Sequence, residues 1–183
     1  MFWIWIILGI IAIVIIWFIA AYNGFIRLRN MVREAFSTMD VYMKKRYDLI
    51  PNLVETIKGY AGHEQATLER VISARNAAAS ASNLEARLEG ESALTGTLRS
   101  LFALAEAYPD LKANTNFLDL QRQLQSVEAD IANSRKYYNS VVRMYNTKTQ
   151  SFPSVIVASI FGFKHEPLFE IEAGERENVR VQF

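Results

Sequence analysis

The chain is expected to be all-α, with an N-terminal transmembrane helix followed by an antiparallel up-down four-helix bundle of long helices. Three observations carry this expectation. Residues 1–22 have no charged side chain and are almost wholly Ile, Trp, Val, Leu, Phe and Ala. From Asn23 to about Gln150, apolar residues recur at steps of three and four, the period of an amphipathic helix. No strand-like alternation precedes the tail, and the few prolines mark joints.

The apolar stretch 1–22 reads as an uncleaved anchor. About 20 residues at roughly 1.5 Å each match a hydrocarbon core of roughly 30 Å. A cleaved signal peptide would open with a basic segment and run shorter, and no Lys or Arg precedes this run. Trp3, Trp5 and Trp17 fall near its two ends, with Tyr22 just past it, as in an aromatic belt. Arg27, Arg29 and Arg33 follow closely, so the positive-inside rule places the N-terminus outside and the remaining domain in the cytoplasm.

Composition bounds the rest. Of 183 residues, about 160 remain beyond the anchor, enough for one core. A net charge of +1 gives no global pull toward nucleic acid. With no cysteine, the chain has no disulfide, thiolate metal site, cysteine nucleophile or lipidated cysteine.

Residues 23–150 divide into four expected helices. The first continues from the anchor, with Phe25, Leu28, Val32, Phe36, Met39 and Met43 on one face. A turn is expected next, with Asp48 as N-cap and Pro51 in the first turn of helix two; a kink in one long helix is the alternative. Helix two carries Ile50, Leu53, Val54, Ile57, Ala61, Leu68, Val71 and Ile72, and Gly59 and Gly62 mark close packing or a local break. Helix three spans about Leu84 to Tyr108 and stops at Pro109-Asp110. Asn114 to Asn116 supply caps for helix four. There Phe117, Leu120, Leu124, Val127, Ile131, Ser134, Tyr138, Val141 and Tyr145 form a heptad seam, more in keeping with core than with a partner surface.

An even number of helices returns the chain to the membrane at about Ser151. Residues 151–163 are apolar and too short to span. Val155, Ile156, Ile160, Phe161 and Phe163 would either cover the bundle end or lie in the bilayer interface. Residues 164–183 form an acidic tail with Glu166, Glu170, Glu172, Glu175 and Glu177, whose end is expected to be disordered or paired with a partner chain.

The search for chemistry is mostly negative. His63 and His165 are the only histidines; neither lies in HExxH nor follows a Glu by three residues, so no zinc or di-iron site, and no cofactor, is expected. No Gly-rich phosphate loop and no Gly-x-Ser-x-Gly occurs. His63 and Glu64 lack a visible nucleophile and read as a polar pair facing a neighbouring helix. Lys44-Lys45-Arg46 would stand roughly 40 Å from the bilayer, too far for lipid, and read as a solvated face or as ion pairs with another subunit.

Several stretches resemble the LemA family: Tyr22-Asn23 after the anchor, Arg46-Tyr47-Asp48-Leu49-Ile50-Pro51-Asn52-Leu53-Val54, Lys58-Gly59-Tyr60, His63-Glu64, Ala74-Arg75, and Phe152-Pro153 to Gly162-Phe163. The likeness covers nearly the whole chain and departs at Met43-Lys44-Lys45, where relatives often show paired arginines. It implies a membrane helix, a bundle of long helices and no known catalytic activity. It also implies kinship with a protein of magnetosome membrane formation and association with membrane metallopeptidases and TPM-domain membrane proteins. Two functions fit best. One is a non-catalytic membrane scaffold that forms homo-oligomers and organises or remodels membrane. The other is an adaptor that docks a membrane partner, such as a metallopeptidase or TPM-domain protein, through the bundle or acidic tail. An enzyme centred on His63 and Glu64 is a distant third.

Overall fold

A computed structural model of the chain describes residues 1–169. Six helices account for most of it: α1 (Phe2–Lys58), α2 (Gln65–Ala79), α3 (Leu84–Ala105), α4 (Pro109–Lys112), α5 (Thr115–Gln150) and α6 (Ser154–Phe161). No strand occurs among the described residues. The fold is therefore all-α, with one N-terminal helix long and apolar enough to cross a membrane. Residues Glu170, Glu172, Glu175 and Glu177 of the acidic tail, and the expectation for the tail's end, lie outside the described residues.

The chain divides into two compact units, and α1 and α5 contribute to both. The first holds Met1–Met39 with Ser134–Leu168. Its apolar core uses the heptad register of both long helices. Phe25, Val32 and Ala35 of α1 and Tyr138, Val141 and Tyr145 of α5 are buried. Phe25 meets Tyr145 edge-on with ring centres 6.3 Å apart, and Phe36 meets Tyr138 at 5.9 Å. Such aromatic pairs add about 0.5–1.5 kcal/mol beyond the area they bury. In contrast, the side chains from Phe2 to Ile16 are almost all exposed, which leaves an apolar surface with no cover among the described residues.

The second unit is built on Asp40–Asn133. Met43, Ile50, Leu53 and Ile57 of α1, Leu68 and Val71 of α2, Leu94, Leu98 and Leu101 of α3, and Phe117, Leu124 and Val127 of α5 are buried. Asn83 starts α3 by accepting the Ala86 N–H at 2.8 Å, and Asn114 starts α5 by accepting that of Phe117 at 3.0 Å. Each bond satisfies an orphan amide of a first turn. The helices α2 and α3 approach closely at Gly90, where an added Cβ would stand 2.8 Å from Ala78 Cα.

The expected turn at Asp48–Pro51 does not form. Helix α1 passes through Pro51, so Asp48 caps nothing and is exposed. Pro51 lacks the N–H that would bond the Tyr47 carbonyl one turn back. That carbonyl is not orphaned, because Arg75 Nε donates to it at 3.1 Å. The break comes instead at Gly59–Glu64, where the Tyr60 and Ala61 amides both close onto Ile57 O, at 2.9 and 2.8 Å. Two glycines within one turn each cost about 1 kcal/mol in a helix, whereas the acceptor freed by the proline is satisfied elsewhere. Likewise, Pro109 does not merely stop a helix: it opens the short α4 at a position where a missing N–H costs nothing.

Candidate functional site

Two groupings of side chains stand out, one in each unit. In the second unit, Arg46 lies on the same face of α1 as Met43, Ile50, Leu53 and Ile57, and is only 1% exposed. Its guanidinium donates to the Glu91 carboxylate from Nη2 and to Glu128 Oε1 from Nη1 at 2.8 Å. The Tyr47 hydroxyl donates to the second oxygen of Glu91. Burial pushes the Tyr47 hydroxyl pKa up, and the Arg46 charge beside it opposes the rise. Arg46 Nε is buried with no hydrogen-bond partner among the described residues. At the edge of the same unit, Arg87 is paired with Asp40.

This placement corrects the expectation for Lys44-Lys45-Arg46. Lys44 and Lys45 are exposed, but Arg46 is neither solvated nor held for another subunit, because its partners come from α3 and α5 of its own chain. Desolvating a charge costs several kcal/mol, and only close opposite charges offset that. Arg46 therefore ties α1, α3 and α5 together in one arrangement.

The rest of the motif divides between core and surface. Ile50, Leu53 and Val54 are core, Leu49 is half-buried, and Asn52 is exposed, with its carbonyl accepting from Thr56. Lys58 ends α1 and meets Glu55 at 3.5 Å on the surface. Tyr60, beside Gly59 in the turn, accepts a hydrogen bond from Asn114 Nδ2 at 2.8 Å. His63 is exposed, and Glu64 occupies the N-cap position of α2 without a side-chain cap bond. No cluster of three metal-ligating side chains occurs among the described residues.

In the first unit, the grouping surrounds residues 22–29 of α1. Tyr22 packs on Phe161 at 4.6 Å, and Phe18 reaches the same ring at 5.7 Å. Gly162 takes the left-handed conformation, φ 68°, which ends α6 and lets the Phe163 N–H bond Ala158 O at 2.9 Å. Phe163 is thereby aimed at α1, where it stacks on Phe25 at 4.7 Å and carries the Arg29 guanidinium over its ring at 5.5 Å. Lys148 of α5 lies across Gly24, with its Nζ 4.9 Å from the Phe25 ring centre. Burial, and then the nearby Arg27 charge, pushes the Lys148 pKa down.

The chain then runs back along α5. Asn146 exchanges two bonds with the Glu166 backbone, at 2.8 and 3.0 Å, and Tyr138 donates to Pro167 O at 2.9 Å. His165 meets Gln150 at 2.8 Å. Toward the other end of α1, Trp3 and Trp5 are exposed, and Trp17 sets its ring edge against Phe18 at 6.5 Å. Asn23 is exposed. On α6, Val157 and Ala158 are buried, while Val155, Ile156, Ile160 and Phe161 keep exposed surface.

Glu91 and Glu128 escaped the sequence reading, although a signal was present. Glu91 precedes Leu94, Leu98, Leu101 and Ala105 in one unbroken seam register, and Arg46 falls in register with Met43 and Ile50. Two opposite charges on two core faces are a pair waiting to be joined. Lys148 carried no such signal, because its place depends on Gly24, more than a hundred residues earlier in the chain.

Fold and groupings together define a class: an all-helical protein whose first helix has spanning length and whose second unit is pinned by a buried arginine–carboxylate cluster. The chain belongs to the LemA family, whose family model matches residues 35–183. It is similar to Protein LemA of Metamycoplasma hominis, at 24% identity over 161 residues covering 86% of this chain and 72% of that one.

Proposed function

We propose that the protein is a non-catalytic, membrane-anchored helical scaffold that associates with copies of itself and organises or remodels the membrane that holds it. The observation that carries this reading is the continuity of α1. One helix runs from an uncovered apolar stretch of spanning length into a body secured by Arg46. No loop separates anchor from body, so the helix entering the body is the one leaving the bilayer. That is what holding a body at a membrane surface requires, and it has no bearing on turnover. Arg27, Arg29 and Arg33 beyond the stretch favour an orientation with the N-terminus outside and the body in the cytoplasm. Tyr137 and Met144, one heptad apart on α5, are about half exposed and offer apolar contact to a second copy.

The reading is tested in native membranes with the cysteine-free chain carrying Met144→Cys. Crosslinked species beyond the monomer, lost on mixing with excess cysteine-free protein, are expected. Monomer alone, in membranes that hold the protein at normal levels, contradicts self-association.

A further inference from the structure

We propose that α6 and the cations beside it form a foot that lies in the bilayer interface and binds the phosphate of anionic lipid headgroups. This rests on the reading of α1 as a membrane anchor. The first observation is an apolar surface with a defined level. From Phe152 to Phe163 the chain has no charged residue, and α6 buries only Val157 and Ala158. Phe152, Ile156, Ile160 and Phe161 remain outward, Ile160 at 62% exposure. Phe161 touches Phe18 inside the apolar stretch and Tyr22 at its end, so the outward face of α6 continues the uncovered surface of α1. A helix with this pattern at this level belongs at the headgroup–acyl boundary.

The second observation is charge at the matching depth. Counting from Tyr22, Arg27 and Arg29 stand roughly 7 and 10 Å farther along the helix axis. The polar layer of a leaflet is roughly 5–8 Å thick, so Arg27 stands inside it and Arg29 just beyond it, where a long side chain leaning toward the helix N-terminus reaches back to phosphate. Lys148 joins them across Gly24. Among the described residues none of the three makes an ion pair, and Arg29 Nε is buried without a hydrogen-bond partner. Arg27 and Lys148 repel one another, a cost that a bound anion removes. A second copy fits this face poorly. It would bring a like set of cations, and one face of an eight-residue helix falls far short of the roughly 800 Å² per partner of a stable interface.

The test uses the full-length protein in vesicles, with a fluorophore on Ile160→Cys and, separately, on Ile13→Cys. Lipids carry nitroxide quenchers either deep in the acyl chain or at the headgroup of phosphatidylglycerol or phosphatidylcholine. Quenching of the Ile13 label by the deep quencher reports the anchor. If it is absent, the anchor reading fails and the foot with it. With the anchor in place, the Ile160 label is expected to be quenched at headgroup level, more by phosphatidylglycerol than by phosphatidylcholine. Arg27→Gln and Lys148→Gln should each lower that preference, by up to about fivefold per charge removed. An Ile160 label open to aqueous quencher alone overturns the proposal. So does equal quenching by both lipids that ignores the two substitutions, or a label shielded from lipid with energy transfer between copies.

Discussion

Arg46 is the residue on which most depends, because its charge is hidden from water and answered by Glu91 and Glu128. Arg46→Met should leave the Glu91 carboxylate buried and unanswered, destabilising the protein by about 3–5 kcal/mol. Adding Glu91→Leu should recover most of that loss, since apolar packing can replace a buried pair. Chemical unfolding of the detergent-solubilised protein, followed by circular dichroism, measures both. Tyr47 offers a pH test. Burial raises its pKa in the folded state above the ordinary 10.0, so its contribution is complete below pH 10 and lost as pH climbs through the folded value. Tyr47→Phe should cost about 1.5–3 kcal/mol at neutral pH for the lost bond to a carboxylate. The gap from wild type should narrow above pH 10, and a constant gap would exclude Tyr47 as the titrating group.

Among the elements, α1 shows most clearly where local rules stop. Its apolar register from Phe25 to Met43 was legible, as was the cap at Asn114, because those signals lie within a few residues of one another. The joint was misplaced because Pro51 breaks a helix only if the freed carbonyl finds no donor, and that donor is Arg75 on α2. Pro51→Ala restores a backbone donor to Tyr47 O. Arg75→Ala should therefore cost more in the wild type than in the Pro51→Ala background, a coupling of about 1 kcal/mol in a double-mutant cycle. Gly90 makes a second test. Ala is the better helix former by about 1 kcal/mol, yet a Cβ there would run into the Ala78 backbone. Gly90→Ala should lower stability by about 1–3 kcal/mol as α2 and α3 are forced apart, and a rise in melting temperature would contradict the close approach.

At the scale of the whole molecule, the apolar stretch, the helical class and the family motif were readable because each is a pattern along the chain. The pairing of Arg46 with Glu91, the seat of Lys148 over Gly24 and the return of residues 163–167 along α5 were not, because each joins distant segments. The motif stretch from Arg46 to Val54 thus marks a packed, unbroken part of α1, and no metal-ligating cluster gathers around it among the described residues. The proposed scaffold would act through where it stands and what it joins. The most direct test of that claim is the mass of the full-length protein extracted in mild detergent, by light scattering with electron imaging. The account predicts assemblies of many copies with regular symmetry. A strictly monomeric protein would contradict the scaffold and turn attention to an adaptor that holds one partner at the membrane.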